Sequence, residues 1–161
     1  MTNLDSAAIE QCDKLLSDKK LTIAFVESAT AGSLSAAFAR LPHAGSFLKG
    51  GIVCYDACVK EDVLGISKEL IEQYTPESTE VTRALALKLK EIIPADVIVA
   101  VTGLTTPGGS ENEQKPVGTM FFCILIDGKA TDSKVTFTGP QDVIVSKTIE
   151  QISLSIIKAL A

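Results

Sequence analysis

Four residues of this chain could attack a carbonyl carbon or move a proton: Ser28, Lys60, Tyr55 and Thr102. A serine hydroxyl is a poor nucleophile until a base removes its proton. His43 is the only histidine, so a Ser-His-Asp arrangement would have to use that one residue. The remaining candidate base is Lys60. A lysine works as a base only when neutral, and its ordinary pKa of about 10.4 must fall for that. Burial beside apolar residues such as Val59 and Val63 would disfavour the charged form. Tyr55 could then relay or orient the proton, and Thr102 would add a further hydroxyl. Each residue also has a plainer role. Ser28 or Thr30 can be a helix N-cap, Glu27 can favour a helix N-terminus electrostatically, and Lys60 can be a surface charge paired with Glu61 or Asp62.

The elements that must position these groups read as strands alternating with helices. Apolar residues at Ala8, Ile9, Cys12, Leu15 and Leu16 give helical spacing over about Asp5 to Leu16. LTIAFVE, from Leu21, is a short buried strand, and Thr30 to Arg40 reads as the next helix, stopped before Pro42. Gly50-Gly51 open a second strand, Ile52 to Tyr55, followed by a helix that ends at Gly65. Thr75 as N-cap with Pro76 at the first helical position predicts a long helix up to Pro94. DVIVAV, Asp96 to Val101, is apolar on both faces and predicts a central strand. VGTMFFCILID turns at Asp127-Gly128 into a strand near Lys134 to Phe137, and a helix from Pro140 to Leu160 closes the chain.

This order predicts a layered α/β domain, of two or three layers, with a mainly parallel sheet and an antiparallel edge hairpin. Ligands of such sheets bind outside the carboxyl ends of the strands. That rule selects Glu27-Ser28, the segment Tyr55 to Lys60, and Thr102-Gly103. Ser28 would face the backbone N–H groups and positive dipole end of the following helix. Gly103 permits close backbone approach to a ligand, and the Gly108-Gly109 turn would let the next loop fold over the site.

Bulk properties narrow the function. A chain of 161 residues with 46% apolar content can pack one domain over 1–161. A formal net charge of -5 disfavours nucleic acid as a partner. No signal-like N-terminus or membrane-length apolar run occurs, so the expected location is the cytoplasm, with no membrane partner. Cys12, Cys54, Cys58 and Cys123 lack zinc-ribbon spacing and are expected as buried reduced thiols, so no metal site and no cofactor are expected. No Walker A or Rossmann fingerprint is present.

Three ordered blocks of the chain carry a family likeness. The first is Val26-Glu27-Ser28-Ala29-Thr30-Ala31-Gly32, similar to Ala-Glu-Ser-Cys-Thr-Gly-Gly. Gly50-Gly51, Tyr55 and Lys60 match a Gly-Gly-x-x-x-Tyr-Ser-Asn-x-x-Lys pattern. Ala100-Val101-Thr102-Gly103, Pro107-Gly108-Gly109 and Lys115-Pro116-Val117-Gly118-Thr119 form the third block. Together these blocks resemble the CinA C-terminal domain family, which includes the nicotinamide-nucleotide amidases. The likeness spans nearly the whole chain and implies hydrolysis of the carboxamide of nicotinamide mononucleotide without a metal. It implies Ser28 as nucleophile and Lys60 as general base, with Tyr55 and Thr102 supporting them. Glu27, Thr30, Gly32, Gly50, Gly51, Gly103, Gly108, Gly109 and Lys115 would serve the substrate, and backbone donors near Thr30 to Gly32 would hold the oxyanion.

This chain departs from the family pattern around that site. Ala29 replaces a cysteine, Ala31 a glycine, and Asp56-Ala57 a Ser-Asn pair. If the glycine served a positive φ, Ala31 would strain the turn, and Asp56 would add negative charge near Lys60. The family's Gly-Asp-Arg-x-x-Ile/Val-Arg run appears here as Gly139-Pro140-Gln141-Asp142-Val143-Ile144-Val145, so both arginines are gone. Two alternatives to the nucleotide amidase therefore stand: an amidase for a substrate without the phosphate, and a weakly active or inactive nucleotide- or partner-binding module. A stand-alone domain that borrows residues from a second copy in a homo-oligomer is a further expectation.

Overall fold

The computed structural model describes residues 6–161. Its five strands are β1 (Ile23–Glu27), β2 (Leu48–Val53), β3 (Val97–Gly103), β4 (Thr119–Ile126) and β5 (Lys129–Thr136). They form one sheet in the order β2-β1-β3-β4-β5. β1 pairs in parallel with β2 and β3, while β4 runs antiparallel to both β3 and β5. The sheet thus has one reversed strand, as expected of a mainly parallel sheet with an antiparallel edge hairpin.

Among the described residues, seven helices cover both faces: α1 (Ser6–Lys19), α2 (Ser33–Ala39), α3 (Ala44–Phe47), α4 (Ala57–Asp62), α5 (Lys68–Tyr74), α6 (Thr79–Ile92) and α7 (Gln141–Leu160). Strand alternation sorts the core into two clusters. Phe25, Val99, Val101 and Phe122 pack with Cys12 of α1, Phe38 of α2 and Ile152 of α7. Ala24, Val26, Ile98 and Ala100 pack on the other face with Ile71 of α5 and Leu85 of α6. Helices on both faces settle the layer count at three. The β1–β2 connection therefore runs over one face and the β2–β3 connection over the other. A crevice opens where such connections diverge, at the carboxyl ends of β1 and β3.

Several boundaries differ from the sequence expectations. The first helix was expected from Asp5, which lies outside the described residues. α2 begins at Ser33 rather than Thr30, because residues 28–32 form a tight turn in which Ala31 has φ 45° and Gly32 φ 93°. β2 covers Leu48–Val53, so Gly50 and Gly51 lie within the strand and Tyr55 lies beyond it. A Cβ on Gly51 would sit 2.5 Å from the Phe25 carbonyl oxygen, so close strand approach explains that glycine. Thr75 does not start the long helix: it terminates α5, which the sequence reading missed, and Ser78 caps α6 by accepting the Val81 N–H at 3.2 Å. β5 starts at Lys129 because Asp127 (φ 50°) and Gly128 (φ 77°) complete a two-residue turn. Of the cysteines, Cys58 is exposed rather than buried, whereas the other three are buried. Burial pushes the Cys12 and Cys123 thiols up to about 12. Among the described residues, no helix is long and apolar enough to cross a membrane.

Candidate active site

The strand period of two separates the neighbours Glu27 and Ser28. Glu27 turns to the face covered by α2, and Ser28 turns to the face covered by α4 to α6. Glu27 is 1% exposed, and its carboxylate is saturated. Oε2 accepts from Thr30 Oγ1 at 2.6 Å, Gly32 N at 3.1 Å and Leu34 N at 3.0 Å. Oε1 accepts from Ser35 N at 2.7 Å and from the Ser35 hydroxyl. The carboxylate therefore satisfies the orphan donors at the α2 N-terminus from outside the helix, matching the positive end of its dipole.

Ser28 is anchored to β3 by its N–H, which donates to the Val101 carbonyl at 2.9 Å. Its hydroxyl meets Lys60, whose side chain runs inward from α4 and is 1% exposed. Lys60 Nζ lies 3.1 Å from Ser28 Oγ and donates to the Cys54 carbonyl at 2.7 Å. Lys60 is thus the buried member of its helix, not a surface charge, and no carboxylate pairs with it among the described residues. Asp56 caps α4, accepting the Cys58 N–H at 2.8 Å. The Cys58 thiol first and its N–H second hold the Asp56 carboxyl below the usual range, and the Lys60 charge adds to this.

Ser28 opens onto a cleft of about 290 Å³. Ala29, Tyr55, Glu77 and the segment from Gly103 to Gly109 complete its lining. The turn after Ser28 has two N–H groups to offer. Those of Ala31, Gly32 and Ser33 are taken by Ser28 O, Glu27 and Thr30 O. The N–H groups of Ala29 and Thr30 have no partner among the described residues. Within the expected donor range Thr30 to Gly32, only the Thr30 N–H is thus left without a partner among the described residues, together with that of Ala29 directly after Ser28.

The other sequence candidates divide. Tyr55 is 60% exposed and walls the cleft without a hydrogen bond to Ser28 or Lys60. Thr102 shares the Ser28 face but is bound elsewhere. Its Oγ1 is 2.8 Å from Thr82 Oγ1, which itself donates to Ser78 O at 2.6 Å. A hydroxyl has one proton, so Thr102 donates to Thr82, and this chain ties β3 to α6. Gly103, Gly108 and Gly109 reach the cleft. Thr30 and Gly32 serve the Glu27 cap, while Gly50 and Gly51 belong to the edge strand, away from the cleft lining. Lys115 is 8% exposed and fastens the loop base, donating from Nζ to Thr75 Oγ1 at 2.6 Å, Glu77 O at 2.8 Å and Ser110 Oγ at 2.7 Å. Burial pushes its ammonium below the usual lysine range, and the Glu77 carboxylate pulls it back.

Residues missed in the sequence complete the cleft. Glu77 enters it from the α5–α6 connection, whose shape depends on the unforeseen α5. Thr105 lines it and accepts from Gln141 Nε2 at 3.1 Å, so the first residue of α7 supports the cleft wall. Val145, one turn on, packs against the core. Neither contact had a local signal.

A three-layer α/β protein with a buried serine–lysine contact at its strand ends is the class that these features define. The CinA C-terminal domain family model matches residues 5–160, and the chain belongs to that family. A CinA-like protein of Mycobacterium marinum is 41% identical over 127 residues, 78% of this chain and 29% of that protein. One from Petrotoga mobilis is 38% identical over 138 residues, 85% of this chain and 34% of that protein. The chain thus spans about a third of the length of these relatives. Among solved structures, a CinA superfamily protein of Enterobacter cloacae superposes with a TM-score of 0.90 at 28% identity, covering 100% of this chain and 99% of that one. A competence or damage-inducible protein of Enterobacter asburiae gives 0.91 at 25% identity, covering 99% and 100%.

Proposed function

We propose that this protein is an amidohydrolase in which Lys60 activates Ser28, and that its substrate is the carboxamide of nicotinamide mononucleotide. The observation that carries this reading is the 3.1 Å contact between Lys60 Nζ and Ser28 Oγ, buried at the floor of an open cleft. In that role Lys60 keeps one N–H on the Cys54 carbonyl and offers a lone pair to the serine hydroxyl. Nζ takes the proton as Oγ bonds to the amide carbon, and the carbonyl oxygen becomes an oxyanion facing the Ala29 and Thr30 N–H groups. The C–N bond then breaks, Lys60 returns its proton to the leaving nitrogen, and ammonia departs. Water attacks the ester on Ser28 with Lys60 again as base, releasing the carboxylic acid. This route asks for no metal.

An amide without the phosphate is the second reading, and the cleft lining favours it. Among the described residues lining the cleft none is a lysine or arginine. Gln141 and Val145 stand where the family pattern carries two arginines, permanently charged groups that could neutralise a phosphate or a substrate carboxylate. Purified protein should release ammonia from nicotinamide mononucleotide or, on the second reading, faster from its riboside. Binding of either compound without ammonia release would point instead to a binding module, and would sink both amidase readings.

A further inference from the structure

We propose that Glu77 is a specificity-determining residue that selects amides carried on, or beside, a positively charged group. This inference deepens the amidase reading and rests on it for the position of the amide. Glu77 supplies the cleft's only carboxylate among the described lining residues, and no lysine or arginine joins it there.

Its charge is held in place but not neutralised by a direct ion pair. Oε2 accepts from Ser110 Oγ at 2.5 Å, and Ser110 Oγ in turn accepts from Lys115 Nζ at 2.7 Å. Lys115 reaches the backbone carbonyl of Glu77 at 2.8 Å, not its carboxylate, and Thr75 Oγ1 donates to the same carbonyl at 3.0 Å. Lys115 therefore acts on Oε2 through one hydroxyl, from outside the cleft lining. Oε1 has no hydrogen-bond partner among the described residues. A carboxylate fixed at one oxygen and open at the other is arranged to meet a donor or cation from a ligand.

The ring of Tyr55, 60% exposed in the same cleft, adds a second attraction for a flat cation through its negative face. Both features disfavour an anionic group at this wall. Ser110 and Lys115 are positioning residues for Glu77. They fasten the loop that carries Gly108 and Gly109 to the α5–α6 connection, so the wall and its charge are set together.

The test compares two amides of nearly equal shape, pyridine-3-carboxamide and its N1-methyl pyridinium cation, bound to the Ser28→Ala protein in calorimetry. The cation is expected to bind about five- to tenfold tighter, with the preference shrinking as salt rises. Glu77→Gln, which keeps the side chain's shape, should erase most of that preference while leaving affinity for the neutral amide and the melting temperature unchanged. Equal affinities, a preference that survives Glu77→Gln, or no binding of either probe at millimolar concentration would each overturn the proposal. The amidase reading fails separately: a charge preference without ammonia release by the wild-type protein removes hydrolysis and keeps the cation site. Ammonia release at equal efficiency from both amides removes the cation site and keeps hydrolysis.

Discussion

Glu27 and Ser28 are adjacent, both buried, and opposite in every other respect. Five hydrogen bonds converge on the Glu27 carboxylate, all from residues 30–35. Among the described residues Ser28 Oγ has one hydrogen-bond partner, the Lys60 amine, and a cleft in front of it. A buried polar group that is fully satisfied locally builds structure; one left with spare capacity toward a cavity is available for chemistry. The two residues thus divide the work of a single turn. Glu27 shapes the turn from one face of the sheet, and Ser28 is presented on the other.

Substitutions can break that division. The largest effect expected is on turnover: Ser28→Ala or Lys60→Met should each lower amide hydrolysis by about a thousandfold or more. Neither should lower the melting temperature much: methionine removes the buried amine without leaving a charge unpaired, and Ser28→Ala leaves Lys60 on the Cys54 carbonyl. Glu27→Gln should behave the opposite way. Loss of charge-assisted bonds at the α2 N-terminus should cost about 2 kcal/mol or more in denaturant unfolding, and activity should fall only as the turn loosens. An unchanged unfolding midpoint would show that Glu27 is not the keystone described.

Smaller effects sharpen the same contrast. Ala31 sits at φ 45°, where a Cβ costs about 1–2 kcal/mol. Ala31→Gly should therefore stabilise the fold by about 0.5–1 kcal/mol after the added chain entropy of glycine. A lower midpoint would mean that the turn does not hold that residue in the left-handed region. The smallest effect lies at the far end of β1 and β3. Asp96 Oδ2 accepts from Thr22 N at 2.7 Å and Thr22 Oγ1 at 2.8 Å, and the Thr22 N–H is the main cause holding its carboxyl below the ordinary range. A carboxylate depressed in the fold stabilises above its unfolded pKa, near 3.9, and that contribution disappears as pH falls through the lower folded value. Asp96→Asn should flatten this part of the acid unfolding curve without touching the cleft.

The parts of the molecule legible in the sequence are those set by periodicity and local chemistry. DVIVAV could only be a central strand, and the apolar stripe of α7 was visible from Ile144 to Leu160. Ser28 and Lys60 could be named because strand ends in an α/β sheet converge on one edge. Thr75-Pro76 misled because Thr-Pro is a sound helix start, and only the packing of α5 shows that the chain has just left a helix there. Thr102 was linked to Ser28 because both lie at the carboxyl ends of strands; its hydrogen-bond partner, Thr82, lies on α6 and carries no local mark. The three oxygens around Lys115 Nζ, on Thr75, Glu77 and Ser110, carry no local mark either. Glu77 was illegible for the same reason: its place in the cleft comes from a connection between two helices, one of them unforeseen.

The central claim is that Lys60 makes Ser28 nucleophilic. A small sulfonyl fluoride, which bonds to an activated serine whatever the natural substrate, reads this directly when the adduct is mapped by peptide mass spectrometry. One adduct is expected, on Ser28, absent from Ser28→Ala and formed at least about a hundredfold more slowly in Lys60→Met. Labelling of Ser28 at the same rate without Lys60, or an adduct only at another residue, would contradict it.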